Sequence, residues 1–158
     1  MNEARGKLGM LLVTGGLVAG LGCGADAGTA DEPTLTIRGR VVTLEIARTR
    51  AEQAQGLSDR ASLDWHRGML FVYDEPHFPS FWMRRMHFDI DIIWIREGRI
   101  VHISAFVPYP REDPLKPATV RSAELSDTVL EVPAGYAQAH GWRRGDRVSM
   151  EVPNSAQP

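Results

Sequence analysis

Cysteine is nearly missing from this chain: Cys23 is the one cysteine in 158 residues. An intrachain disulfide needs two and a thiolate-built zinc site needs several, so both are excluded. Charge of one sign is lacking too. Lys and Arg total 18 against 20 Asp and Glu, a formal net charge of -2, which excludes a strongly basic nucleic-acid binder. Long apolar runs are absent apart from residues 8–21. As a helix these fourteen residues would reach only about 21 Å, short of a ~30 Å bilayer core. No Gly-x-Ser-x-Gly, Gly-rich phosphate loop or His-Glu-x-x-His occurs, and no cysteine follows residue 23 to serve as a nucleophile. What remains is ordinary for one globular domain: 43% hydrophobic and 24% charged residues.

The first residues read as an export signal. Arg5 and Lys7 precede the short apolar run 8–21, which Gly9, Gly15, Gly16 and Gly20 weaken as a helix, and small residues follow. Two cleavage sites compete. Leu21-Gly22-Cys23 resembles the end of a bacterial lipoprotein signal, with Gly20 departing from the leucine usual three places before the lipidated cysteine. Ala25-Asp26-Ala27 fits ordinary signal peptidase, which would discard Cys23. A lone cysteine placed directly after the apolar run has an immediate explanation as a lipid anchor, so the lipoprotein reading leads. The domain plan is then a signal peptide at 1–22, a small, polar and acidic tether at 23–33, a folded domain at 34–152 and a frayed tail at 153–158.

Within the folded part, apolar residues alternate with a period of two. Residues 34–38 and 41–47 read as half-buried strands joined near Gly39-Arg40. Thr49 and Glu52 form a capping-box pattern that starts a short helix over 51–57. Residues 69–73 read as a buried strand, 74–80 as a loop, and 81–83 as extended. Residues 89–95 and 99–105 form a hairpin about Glu97-Gly98. Four prolines make 106–117 a loop. A strand at 128–132, a short helix at 134–140 closed by Gly141, and a strand at 147–152 complete the chain. These elements predict a mainly β domain, a small barrel-like or open-roll antiparallel sheet with one or two short helices. This fits better than βαβ units, because no crossover helix is long enough.

An ordered set of motifs carries a family resemblance. It comprises Val42-Thr43-Leu44-Glu45-Ile46-Ala47, Thr49, Glu52, Gln55-Gly56-Leu57, Arg60, Gly68-Met69-Leu70-Phe71-Val72, Phe81-Trp82-Met83 and Ile90-Asp91-Ile92-Ile93. Gly98-Arg99-Ile100-Val101 and Val129-Leu130-Glu131-Val132-Pro133-Ala134-Gly135 complete it. Over residues 41–152 the chain resembles the domain-of-unknown-function 192 (DUF 192) family. That resemblance implies a small, β-rich, often secreted or membrane-anchored prokaryotic domain, and it supplies no reaction. The chain departs from the family where Arg84-Arg85-Met86 replaces Lys-Asn-Thr and Asp89 replaces proline.

Candidate chemistry concentrates in the middle of the chain. Asp91 lies in the most apolar strand, where a carboxylate needs a partner, and Arg60 and Arg84 are the cations available. Such a pair would either bind a polar ligand or tie the helix segment to the sheet. Phe78, Phe81, Trp82 and Trp94 with Arg84 and Arg85 offer an aromatic and cationic platform, or alternatively core cover. The ligand-binding candidates are therefore Arg60, Trp82, Arg84 and Asp91. Met83, Met86 and His87 suit Cu(I) as ligand types but lack repeated Met-x-x-Met tracts. Asp91 with Asp89 or Glu45 could form a hydrolytic carboxylate pair. The composite expectation is an exported, lipid-anchored binding or accessory module, with the question of catalysis left open. It would use no cofactor, metal or nucleic acid and meet an envelope ligand or protein. A hydrolase and a periplasmic copper-binding protein are the alternatives.

Cys23→Ser is expected to move the protein from the membrane fraction to the soluble fraction or to stall its processing, read by fractionation and N-terminal analysis. A mature N-terminus at Gly28 would assign the ordinary signal-peptidase site instead.

Overall fold

The computed structural model describes residues 32–113 and 115–153. The expected signal peptide, Cys23 and the end of the tail lie outside these residues. Nine strands and two short helices follow in the order β1 (Thr34–Ile37), β2 (Arg40–Ala47), α1 (Arg50–Gln55), β3 (Arg67–His77), β4 (Ser80–Trp82), β5 (Ile90–Arg96), β6 (Arg99–Val107), β7 (Thr119–Arg121), β8 (Ser126–Pro133), α2 (Tyr136–Ala139) and β9 (Val148–Glu151). Seven strands make one curled sheet in the order β6-β5-β8-β3-β2-β1-β9, while β4 and β7 form a separate two-stranded ribbon. At one end the sheet nearly closes on itself. Val148 N–H donates to the Gly98 carbonyl at 2.8 Å and Ile100 N–H to the Asp146 carbonyl at 3.0 Å. The mainly β, barrel-like or open-roll sheet expected from the alternation is therefore realised as a half-barrel, antiparallel throughout except at one pair.

That exception is β2 with β3, which run parallel. The connection between them crosses over through α1, so one strand–helix–strand unit exists where the sequence reading expected none. Parallel neighbours cannot be joined by a tight turn, and the segment 48–66 supplies the required length. The helix starts as its capping box dictates. Glu52 N–H donates to Thr49 Oγ1 at 3.2 Å, and Thr49 N–H donates to Glu52 Oε2 at 2.8 Å. Strand β3 runs on into the expected loop as far as His77, through a register shift after Val72, and the short β7 just after Pro117 has no counterpart in the sequence pattern.

The two faces of the sheet hold separate cores. Leu35, Ile37, Val42, Leu44, Leu70, Ile93, Ile95, Leu130 and Val132 face the inside of the curl, together with Ile100 and partly buried Val148 from the strands that meet there. The other face carries Met69, Phe71, Ile90, Ile92, Trp94 and Val129, and is covered by Leu57, Met83 and Met86. Gly68 is needed where β2, β3 and β8 come together. A Cβ there would sit 2.8 Å from the Glu131 carbonyl and 2.9 Å from a Leu130 methyl.

Asp91 of β5 ties the end of β6 to the segment that follows β8. It is fully buried, and its Oδ1 accepts from Phe106 N–H at 2.8 Å and Gly135 N–H at 3.0 Å. Its Oδ2 accepts from Ala137 N–H at 2.9 Å. The carboxylate thus caps α2 from a different strand, since α2 has no cap of its own. Both Phe106 and Gly135 sit at positive φ, 53° and 83°. A Cβ on Gly135 would also press within 3.2 Å of the Phe106 ring. Two left-handed residues are thereby fixed by one side chain. The expected arginine partners are not used, because main-chain amides already answer the buried carboxylate.

Asp91→Asn would turn an N–H group toward one of these donors and leave a buried amide unsatisfied. Urea unfolding should show a loss of about 1–3 kcal/mol, and α2 amides should lose hydrogen-exchange protection first. Unchanged stability would show that the three amides do not depend on Asp91.

Candidate functional site

The outer face of the sheet carries a row of side chains in register. Glu45 of β2 lies opposite Met69 of β3, Met69 opposite Glu131 of β8, and Glu131 opposite Ile92 of β5. Adjacent strands run about 4.8 Å apart, which separates the Glu45 and Glu131 backbones by about 10 Å. One end of this row is wet and the other dry. Glu45 meets Arg60 in a two-pronged ion pair, both N–O distances 2.8 Å, with both side chains about one-third exposed at 35%. Hydrogen bonding from Arg60 holds the Glu45 carboxyl below the usual carboxylate range and raises the guanidinium in turn. Arg67 and Glu32 form a second two-pronged pair beside them.

Glu131 stands where the alternation calls for an apolar residue, among Val129, Met69, Phe71 and Ile92. It is 6% exposed. Its carboxylate has no hydrogen-bond or ion-pair partner among the described residues. Burial pushes its pKa from 4.5 to about 8, a rise opposed only by the charge of Arg60. At neutral pH the group is therefore a carboxylic acid that can donate a hydrogen bond. Tyr73 nearby is pushed up to about 12, first by burial and then by Glu131.

A cleft of about 440 Å³ opens beside this row, between α1 and β2, lined by Glu45, Ala47, Ala51, Gln55, Arg60 and Met69. Met69 lies directly between Glu45 and Glu131 in register. An unbranched thioether is the kind of side chain that can shift to admit a ligand. The cleft thus offers a guanidinium and an ionised carboxylate against apolar walls, and the neutral acid of Glu131 lies outside its lining, one strand beyond Met69. That set suits a small ligand with a hydrogen-bond acceptor and an apolar body.

The four residues singled out from the sequence do not meet at one place. Arg60 is in the cleft. Asp91 lies on the inner face of the sheet, whereas Glu45 lies on the outer face, so the proposed Asp91–Glu45 pair is divided by the sheet itself. Asp89 accepts from Tyr109 N–H and Arg111, away from the saturated Asp91 carboxylate. Trp82 and Arg84 are on the surface, with the guanidinium 5.6 Å from the ring centroid. Phe81 and Trp94 went into the core instead, packing edge to face at 5.5 Å. Met83 and Met86 are buried and His87 is exposed, which splits the expected copper set between core and solvent. Among the described residues no cluster of three or more His, Cys, Asp or Glu has a metal-binding arrangement. Glu131 was overlooked in the sequence, although a charged residue inside the apolar run 129–132 marked it.

Glu131 also makes stability depend on pH with a definite sign. Below pH 4.5 both the folded and unfolded chains hold its proton. Between there and about pH 8 only the folded chain keeps it, so this contribution falls as pH rises and is level above that window. Glu131→Gln should abolish the slope, leaving stability near that of the parent at about pH 5 and raising it by a few kcal/mol at about pH 9. Urea midpoints of both proteins across pH would check this, and parallel curves would mean Glu131 titrates normally.

Comparison with other proteins bears on the fold and not on the ligand. A crystal structure of a protein of unknown function from Novosphingobium aromaticivorans DSM 12444 is similar, with a TM-score of 0.65 and 34% identity over 73% of this chain and 83% of the other. A Sinorhizobium meliloti 1021 protein, proposed to be a transcription regulator, is similar with a TM-score of 0.64 and 29% identity over 75% of this chain and 92% of that one. No curated protein matches the chain. Residues 33–150 match the family model DUF192, described as "Uncharacterized ACR", and the chain belongs to that family.

Proposed function

We propose that this protein is an exported, lipid-anchored binding module of the bacterial envelope whose ligand sits in the cleft beside α1. The observation that carries the reading is Glu131, a neutral acid with no hydrogen-bond or ion-pair partner among the described residues, one strand beyond the Met69 that lines the cleft with Arg60. A buried polar group without a partner costs free energy that a ligand acceptor would recover. Arg60 adds a donor pair that a ligand anion could share with Glu45. The export and anchoring part of the proposal rests on the basic start, the short apolar run and Cys23.

A second reading has one observation in its favour. Glu45 lies below the usual carboxylate range and Glu131 above it, on one face of the sheet. An acid and a base separated in this way are what hydrolysis of a glycosidic or similar bond uses.

Thermal unfolding in the presence of small carboxylates, sugars and soluble cell-wall fragments tests the binding reading. A ligand present at 100 times its Kd stabilises by about 2.7 kcal/mol. The shift should shrink in Arg60→Lys, which cannot reproduce the two-pronged geometry, and in Glu131→Gln. A ligand that stabilises both variants as fully as the parent would place binding elsewhere, and a hit that is turned over would make the protein an enzyme.

A further inference from the structure

The ribbon β4–β7 presents two unlike faces. Phe81 and Val120 point inward to the outer core, with Phe81 packed edge to face on Phe71 at 4.8 Å. Ser80, Trp82, Thr119 and Arg121 are exposed on the opposite side. Ser80 pairs with Arg121 and Trp82 with Thr119, so Trp82 and Arg121 are diagonal neighbours on that outward face. Arg84 lies over the Trp82 ring. Phe78, just before β4, is 50% exposed and Trp82 52%. Leu115, in the loop leading to β7, is 91% exposed. Three of the eight large exposed hydrophobic residues among the described residues therefore belong to this ribbon and its flanks.

The charge within these two segments has one sign. Residues 78–88 and 115–123 contain Arg84, Arg85, Lys116 and Arg121 and no carboxylate. The bordering acids are already engaged: Asp89 with Arg111, Asp113 with Lys116, Glu124 with Arg144, and Asp59 with Arg85. Arg84 and Arg121 have no carboxylate partner among the described residues. Asp74 and Glu75 bound the patch on the β3 side, and Asp74 lines a different groove beside Met150.

We infer that the outward face of the β4–β7 ribbon, with Trp82, Arg84 and Arg121 at its centre and Phe78 at its edge, docks on an anionic lipid bilayer. Tryptophan has the apolar body and polar N–H that settle at headgroup depth, and unpaired arginines are drawn to anionic headgroups. Core packing does not explain Trp82, which points away from the core that Phe81 enters. The inference is independent of the cleft. It is reinforced by the anchor proposed at Cys23, because the eleven residues 23–33 span at most about 40 Å and would hold the domain beside a membrane.

The test uses the mature protein as cells process it, mixed with vesicles whose acyl chains carry bromine as a fluorescence quencher. Vesicles of phosphatidylglycerol and phosphatidylcholine are compared with phosphatidylcholine alone. The Trp82 signal is isolated by subtracting the spectrum of Trp82→Phe, since three other tryptophans are present. Quenching of Trp82 is expected in the anionic vesicles, declining as ionic strength rises. Arg84→Ala and Arg121→Ala should each weaken it about fivefold at low salt. Both variants should unfold at the parent's midpoint, because neither side chain packs into the core. Three results would overturn the inference. One is a Trp82 signal equally open to aqueous iodide with and without vesicles. Another is loss of the vesicle effect to inorganic phosphate at matched ionic strength, which marks a simple anion site. The third is tight binding to a soluble anionic glycan with no vesicle response. If the Cys23 anchor is absent, the protein is simply recovered unlipidated and the quenching assay still reads the ribbon. If the anchor is present and the ribbon does not dock, the protein sediments with vesicles while Trp82 stays unquenched.

Discussion

Two oxygens of Asp91 hold three main-chain N–H groups that no secondary structure would otherwise satisfy. One belongs to Phe106 near the end of β6, and the others to the entry of α2. Because β5 is paired on both sides, with β6 and β8, the carboxylate is anchored inside the sheet, one strand from its edge, while its partners lie at the end of edge strand β6 and in the segment after β8. It sets the chain direction where β8 gives way to α2, and α2 brings Tyr136, Ala137 and then Trp142 onto the inner core. A four-residue helix has little stability of its own, so its position is borrowed from this contact and from that packing. The left-handed backbone at Phe106 is unfavourable for an aromatic residue in isolation, and the hydrogen bond to Asp91 offsets part of that strain.

The second organising fact is that one sheet carries two cores. Strand alternation assigns every residue of β5 to one side or the other. Asp91, Ile93 and Ile95 face inward, while Ile90, Ile92 and Trp94 face outward. Both sides are buried, so β5 reads as a nearly continuous apolar run. Polar residues that are neighbours in sequence can therefore end in unrelated environments. Asp89 is partly exposed and holds Arg111, and two residues on, Asp91 is sealed.

The outer face spends part of its burial on polar groups. Glu45 and Glu131 share a row, yet their environments pull them apart. A guanidinium and solvent keep Glu45 ionised, whereas the apolar packing of Met69, Val129 and Ile92 favours the neutral form of Glu131. A buried acid of this kind destabilises a domain relative to an apolar residue in its place, which is the pattern binding sites show when they trade stability for a poised group. The ribbon solves a different problem on the same face. It buries Phe81 and Val120 to close the core and, by the same alternation, must send Trp82 and Arg121 outward.

The sequence by itself determined the period-two strands, the hairpin about Glu97-Gly98, the capped start of α1 at Thr49 and Glu52, and the mainly β class. Each of these is written in contacts between residues close along the chain, where spacing alone decides the outcome. Tertiary structure decided the rest. The parallel pairing of β2 with β3, the β4–β7 ribbon and the near closure of β6 on β9 join distant segments whose local patterns favour no particular partner. Side-chain partners followed the same rule. Asp91 needed something to answer its burial, and the sequence named cations. The fold supplied main-chain amides from residues 106, 135 and 137 instead. Arg60 was then left to Glu45, fifteen residues away in the chain and on the opposite face of the sheet from Asp91. Which face a charged residue occupies, and what covers that face, depends on how the whole sheet curls, and no local spacing encodes it.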